Sequence, residues 1–109
     1  MNNEIFLSHS WLNITNRNQS QEWHAHTDSF ISGVYYYKTN NIDGDLMIKN
    51  PAGKKVYEKV MYPPVEGMLM LFPGWLDHRV GVNTTDSDRI TIAFNYLTIN
   101  EERKGIIER

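Results

Sequence analysis

The chain contains no cysteine among its 109 residues. That absence excludes disulfides, iron–sulfur clusters and thiolate catalysis, and it fits a reducing setting: a cytoplasm, or the host's cytoplasm if the gene is viral. No apolar run approaches the length of a membrane span. Met1 leads into polar and acidic residues rather than a basic segment and an apolar stretch, which argues against a signal peptide. Neither sign of charge dominates, since the formal net charge is -2, so no nucleic-acid or membrane surface is expected. There is no internal repeat and no low-complexity segment. What remains is an ordinary soluble composition, 40% hydrophobic and 22% charged, in a length that suits a single domain over residues 1–109.

Short β-type segments separated by turn clusters run through the chain. Residues 5–7 and 11–14 are short apolar pieces that read as strands, followed by a polar loop over 16–21. Residues 30–37, rich in aromatic and β-branched side chains, predict a strand. Residues 46–49 predict another, between the turn cluster 40–45 and the Asn50-Pro51-Ala52-Gly53 break. Residues 56–62 fit strand or helix and end at Pro63-Pro64. The uninterrupted apolar run 67–72 reads as a strand buried on both faces, broken by Pro73-Gly74-Trp75. A polar turn over 83–88 precedes a long strand over 89–97. One face of that strand carries Arg89, Thr91, Ala93 and Asn95; the other carries Ile90, Ile92, Phe94 and Tyr96. The charged tail from Asn100 reads as a frayed helix. The pattern predicts an all-β antiparallel sandwich or barrel with little helix, with the jelly roll (cupin-like, double-stranded β-helix) as its leading member.

The chemistry concentrates in His24-Ala25-His26-Thr27-Asp28. In extended backbone, residues at i, i+2 and i+4 share a face, so this stretch offers two metal ligands to one ion. Only four histidines exist. His78, in Trp75-Leu76-Asp77-His78-Arg79-Val80, is the evident distant donor, and a jelly roll brings distant segments to one mouth. Two histidines at i, i+2 also occur by chance. Trp23 and Trp75 read as packing residues flanking the pocket, and His9 as a loop histidine. Arg89 has a plain alternative as a strand-edge charge paired with Asp86 or Asp88.

Together these segments resemble the 2-oxoglutarate/Fe(II)-dependent oxygenases, within them a group related to prolyl hydroxylases and found in bacteria and marine phages. The resemblance rests on the His-x-His segment, on Ser32-Gly33-Val34-Tyr35-Tyr36-Tyr37, on the run from Glu66 to Val80, and on Arg89 to Asn95. It covers roughly residues 11–97. It implies Fe(II) and 2-oxoglutarate, with His24 and His78 as iron ligands. Arg89, eleven residues after His78, would grip the distal carboxylate of 2-oxoglutarate, a task suited to a bidentate guanidinium on a rigid strand. Tyr36 matches a family tyrosine that holds the same carboxylate. Thr91 and Asn95 share the face of Arg89 and would line that pocket, and Asn13 either reaches the cosubstrate or caps a turn. The implied reaction is hydroxylation coupled to oxidative decarboxylation of 2-oxoglutarate to succinate; a peptidyl proline is a substrate by family analogy only.

Two departures stand out. His26 occupies the position where most of these enzymes carry Asp or Glu, against the usual 2-His-1-carboxylate triad. Either three histidines, His24, His26 and His78, hold the metal, or the register slips by two and Asp28 completes the set with His26. The first is favoured because the resembling sequences share His-x-His here. Secondly, relatives carry extra helices over one sheet, whereas about a dozen residues precede the first strand here; an apolar sheet face left open invites homo-oligomer formation. Two rival readings remain: a cupin-type three-histidine enzyme without 2-oxoglutarate, which has no need of Arg89, and an inactive oxygenase-like binding domain, which would bind no metal.

Overall fold

The computed structural model describes residues 3–49 and 59–100. They form eight strands: β1 (Asn3–Thr15), β2 (Gln21–His24), β3 (Ile31–Lys38), β4 (Leu46–Lys49), β5 (Lys59–Tyr62), β6 (Leu69–Pro73), β7 (His78–Val80) and β8 (Arg89–Asn100). The order is β1-β8-β3-β6 in one sheet and β2-β7-β4-β5 in the other, and every pairing is antiparallel. No described residue is helical, and no helix is long and apolar enough to cross a membrane. Two facing four-stranded sheets with crossing connections make a double-stranded β-helix. The breaker Asn50–Gly53, residues 56–58 and the tail beyond Asn100 lie outside the described residues.

The alternation along β8 decides which face of the larger sheet is inside. Arg89, Thr91 and Asn95 are buried. Across the ladder Thr91 pairs with Asn13 and Tyr36, Ala93 with Trp11 and Val34, and Asn95 with Ser32. Directly opposed residues share a face, so these side chains form one inner surface. In the aromatic run of β3, Tyr36 is therefore buried while Tyr37 is exposed. Between the sheets lie Leu46, Phe72 and Leu76, with Val34, Ile48, Met70 and Val80 packed around them.

Two expectations need correction. The pieces 5–7 and 11–14 belong to a single 13-residue strand, β1, so the residues expected to precede the first strand are that strand. Its register shifts between Leu7 and His9, a bulge at Ser8. The extra residue flips the side-chain parity. Ile5 joins the same outer hollow as Tyr96, and Leu12 and Ile14, opposite Ile92 and Ile90, share that face although they sit at even positions. The second correction concerns residues 67–72. The strand begins at Leu69, and it is buried on one face only: Phe72 is 8% exposed, whereas Leu69 is 52% and Leu71 56% exposed. An unbroken apolar run implied two covered faces, but no described element covers the outer face of this sheet.

Candidate active site

His24 closes β2 and pairs with His78 at the start of β7. Extended backbone stops there. The chain turns through Thr27 and Asp28, so alternation along a strand does not bring His26 to the cluster. Backbone contacts do: the His26 amide donates to the Gly74 carbonyl at 2.8 Å, Ser29 N donates to the His26 carbonyl at 2.9 Å, and Gly74 N donates to the Phe30 carbonyl at 3.1 Å. At Gly74 a Cβ would run into the Ser29 and His26 carbonyl groups, so this close approach requires glycine.

The result is a cluster in which one ligand nitrogen from each of His24, His26 and His78 lies within 4.8 Å of the others. Ring centroids are 4.1 Å apart for His24–His78, 5.2 Å for His24–His26 and 5.5 Å for His26–His78. Asp28 lies in an exposed turn and is not among the clustered donors.

The second nitrogen of each ring is also accounted for. His24 Nδ1 lies 2.6 Å from the Glu22 carbonyl and His78 Nδ1 3.1 Å from the Leu76 carbonyl. A carbonyl only accepts, so both rings carry their proton on Nδ1 and present the Nε2 lone pair. His26 Nδ1 is 3.4 Å from Asn95 Nδ2. Burial pulls the pKa of His78 down to about 4, with the neighbouring histidines acting in the same direction against its Leu76 hydrogen bond and Asp77. Burial, followed by the proximity of His24, lowers His26 as well, against a smaller opposing effect of Asp28. Three imidazole nitrogens gathered this closely suit a first-row divalent metal, iron included.

Arg89 occupies the same cleft, which is also lined by Trp11, Asn13, Tyr36, Thr91 and Asn95. Its side chain is buried, at 2% exposure. Nη1 donates to the Asp43 carbonyl at 2.6 Å. Gly44, at φ +123°, lets that loop close over the guanidinium, where a Cβ would collide with Arg89 and the Gly81 carbonyl. No carboxylate of the described residues pairs with Arg89. Asp86 binds Arg17 at 2.7 Å, Asp88 accepts from Asn16 at 2.7 Å, and the Asp43 carboxylate accepts from Thr39 Oγ1 at 2.7 Å. The strand-edge pairing with Asp86 or Asp88 is therefore not formed. Burial lowers the Arg89 pKa, opposed by Asp43 and Tyr36. Burial pushes Tyr36 up to about 12, partly offset by Arg89, so its phenol stays protonated and able to donate.

Trp23 and Trp75 do not line this cleft. Trp23 lies beneath Lys49 Nζ, 4.8 Å from the ring centroid, and Trp75 is exposed. The aromatic residue at the site is Trp11, 5.9 Å from His26 between ring centroids. Its even spacing from Asn13 and Thr15 was the available signal. His9 is exposed beside Ser8 Oγ at 2.7 Å, away from the cluster.

A double-stranded β-helix with three converging histidines in its mouth defines a candidate non-haem metal centre. The family described as "Putative 2OG-Fe(II) oxygenase" matches residues 9–95. The chain belongs to that family, which implies Fe(II) and 2-oxoglutarate as cofactor and cosubstrate.

No curated protein matches the sequence significantly. Among solved structures, a 2OG-Fe(II) oxygenase family oxidoreductase from Burkholderia pseudomallei superposes with TM-score 0.77 at 14% identity, covering 89% of this chain and 47% of its own. A Pseudomonas putida prolyl-4-hydroxylase gives TM-score 0.67 at 16% identity, covering 81% and 50%. A cupin domain from Bordetella pertussis gives 0.55 at 17% identity, covering 86% and 92%. These likenesses establish the fold. The chain spans about half the length of the two oxygenases.

Proposed function

We propose that this domain is an Fe(II)- and 2-oxoglutarate-dependent dioxygenase that hydroxylates a C–H bond of its substrate. His24, His26 and His78 hold the metal through Nε2. Bound iron with 2-oxoglutarate would supply the oxidising chemistry, using dioxygen: one of its oxygen atoms would go to the substrate C–H bond and the other to succinate, with loss of carbon dioxide from 2-oxoglutarate. The chain's own residues bind and orient. Arg89 grips the distal carboxylate of 2-oxoglutarate, the Tyr36 phenol donates to that carboxylate, Thr91 offers a hydroxyl on the same face, and the sheets exclude water.

The observation that carries this reading is Arg89. A buried guanidinium with no carboxylate partner among the described residues is costly, and one lining the same cleft as the three clustered histidines has a use if an anion arrives there. A keto-diacid anchored at Arg89 presents its other end toward the histidines.

Among the described residues no carboxylate joins the histidine cluster, which favours a second reading, a cupin-type enzyme that uses the same three ligands without 2-oxoglutarate. Anaerobic titration with Fe(II) and then 2-oxoglutarate, followed by visible absorption, separates the two. A weak charge-transfer band that needs both additions supports the oxygenase. Iron binding without the band supports the cupin-type reading. Failure to take up iron leaves an oxygenase-like binding domain. In the oxygenase case, His78→Ala abolishes iron uptake; retention of wild-type affinity by that variant would remove His78 from the ligand set.

A further inference from the structure

Two of the three histidines have their tautomer dictated by a backbone carbonyl, and the third does not. His26 Nδ1 faces the side-chain amide of Asn95, with Nδ2 at 3.4 Å. Asn95 is itself buried, at 7% exposure, and its Oδ1 accepts from Ser32 Oγ at 2.8 Å; Ser32 is 2% exposed. In this arrangement the amide donates to Nδ1. A neutral imidazole that accepts at Nδ1 carries its proton on Nε2, the atom the cluster needs unprotonated. Reversing the amide about its terminal bond exchanges two atoms of nearly equal size. Oδ1 then accepts from His26 Nδ1–H, and Nδ2 donates to the Ser32 hydroxyl, which works equally well in either role. Both states keep the two contacts of this relay, Ser32 to Asn95 and Asn95 to His26, with donor facing acceptor in each.

We infer that Asn95, backed by Ser32, is a positioning residue that sets the tautomer of His26, its amide reversing when a metal takes Nε2. The inference rests on the histidine-cluster reading of the metal site. It gives Asn95 a role toward the metal ligand rather than toward the cosubstrate, although it shares a strand face with Arg89. Such outer partners of a metal-bound imidazole fix its orientation and typically change metal affinity about 10–100-fold when removed.

The test uses the whole chain with 15N-labelled histidine, Zn(II) as a diamagnetic probe and Co(II) for affinity. Long-range 1H–15N spectra identify the protonated nitrogen of each ring. In the metal-free protein His26 is expected to populate the Nε2–H form while His24 and His78 hold Nδ1–H. With Zn(II) bound, all three carry the proton on Nδ1. Asn95→Leu is expected to weaken Co(II) binding about 10–100-fold, whereas Asn95→Asp, which only accepts, keeps near-wild-type affinity and holds His26 as Nδ1–H even without metal. A purely packing role would make Leu and Asp equally harmful.

Ligation of His26 through Nδ1, or wild-type affinity in Asn95→Leu, overturns the inference; the spectra of the wild type decide the point even if a variant fails to fold. If Asn95→Leu binds like wild type while His78→Ala does not bind, the metal site stands and the role of Asn95 falls. If the wild type takes up neither ion, both fall.

Discussion

At the scale of single residues, Arg89 is an investment that the metal-free fold does not recover. Its charge is desolvated, and its one strong partner is the Asp43 carbonyl. Replacing a buried, poorly compensated charge by an apolar side chain of similar length is often neutral or stabilising. Arg89→Met is therefore expected to leave the melting temperature of the metal-free protein unchanged or raised. It should weaken 2-oxoglutarate binding by about 2–5 kcal/mol, the range for truncating one side of a buried charge pair, with iron affinity retained. Calorimetry and a 2-oxoglutarate titration of the iron-loaded protein check both halves. A marked loss of thermal stability would make Arg89 a structural residue.

His78 contributes a pH dependence of definite sign. Its folded pKa lies near 4, below the ordinary 6.5. Between those values the unfolded chain binds the proton more readily than the folded one, so stability rises with pH across the window. The contribution is fully present above pH 6.5 and is lost as pH falls through 4. Denaturant unfolding of the metal-free protein at a series of pH values should show that slope, and His78→Gln should flatten it.

At the scale of elements, what a strand's alternation controls was legible and what a turn or a bulge controls was not. The inner face of β8, with Arg89, Thr91 and Asn95, follows from period two, and so does the burial of Tyr36 and Ser32 against the exposure of Tyr37. The grouping of His24 with His26 was anticipated by alternation but arises otherwise, because the backbone turns after His24 and Gly74 holds His26 in place. The bulge at Ser8 hid the continuity of β1, since its parity change makes one strand look like two. Partners such as the Leu76 and Glu22 carbonyls had no sequence signal at all, because any residue supplies a carbonyl.

The docking at Gly74 can be tested directly. Gly74→Ala places a methyl group against two backbone carbonyls that have little room to retreat. It is expected to cost about 1–3 kcal/mol of stability. The same change should weaken metal binding by displacing the turn that carries His26, while Gly67→Ala, where a Cβ meets nothing within 4 Å, perturbs the backbone at φ +83° but leaves metal affinity alone. Denaturation curves and Co(II) titration of the two variants distinguish a local effect on the site from a general loss of stability.

At the scale of the whole molecule, the two faces of the larger sheet have opposite fates. The inner face is covered by the smaller sheet and carries the polar cleft. The outer face gathers Ile5, Leu12, Ile14, Leu69 and Leu71, each at least half exposed, around a partly buried row of Ile90, Ile92, Phe94 and Tyr96 from β8. A contiguous apolar surface beyond several hundred Å² is unusual on a soluble monomer. The row is central in the sheet and unbroken by charge, so it can be buried against an identical row in an isologous contact. Self-association through this face is the expected outcome, with the clefts left open because they lie on the opposite side of the sheet. Sedimentation velocity in the micromolar range should show a species larger than the 12.8 kDa chain. Leu69→Lys with Leu71→Lys should return it to the monomer. Because these side chains do not line the cleft, Fe(II) affinity should be unchanged in the variant. A wild-type protein that sediments as a monomer over that range would exclude the contact, and loss of iron binding on dissociation would show that the cleft depends on it.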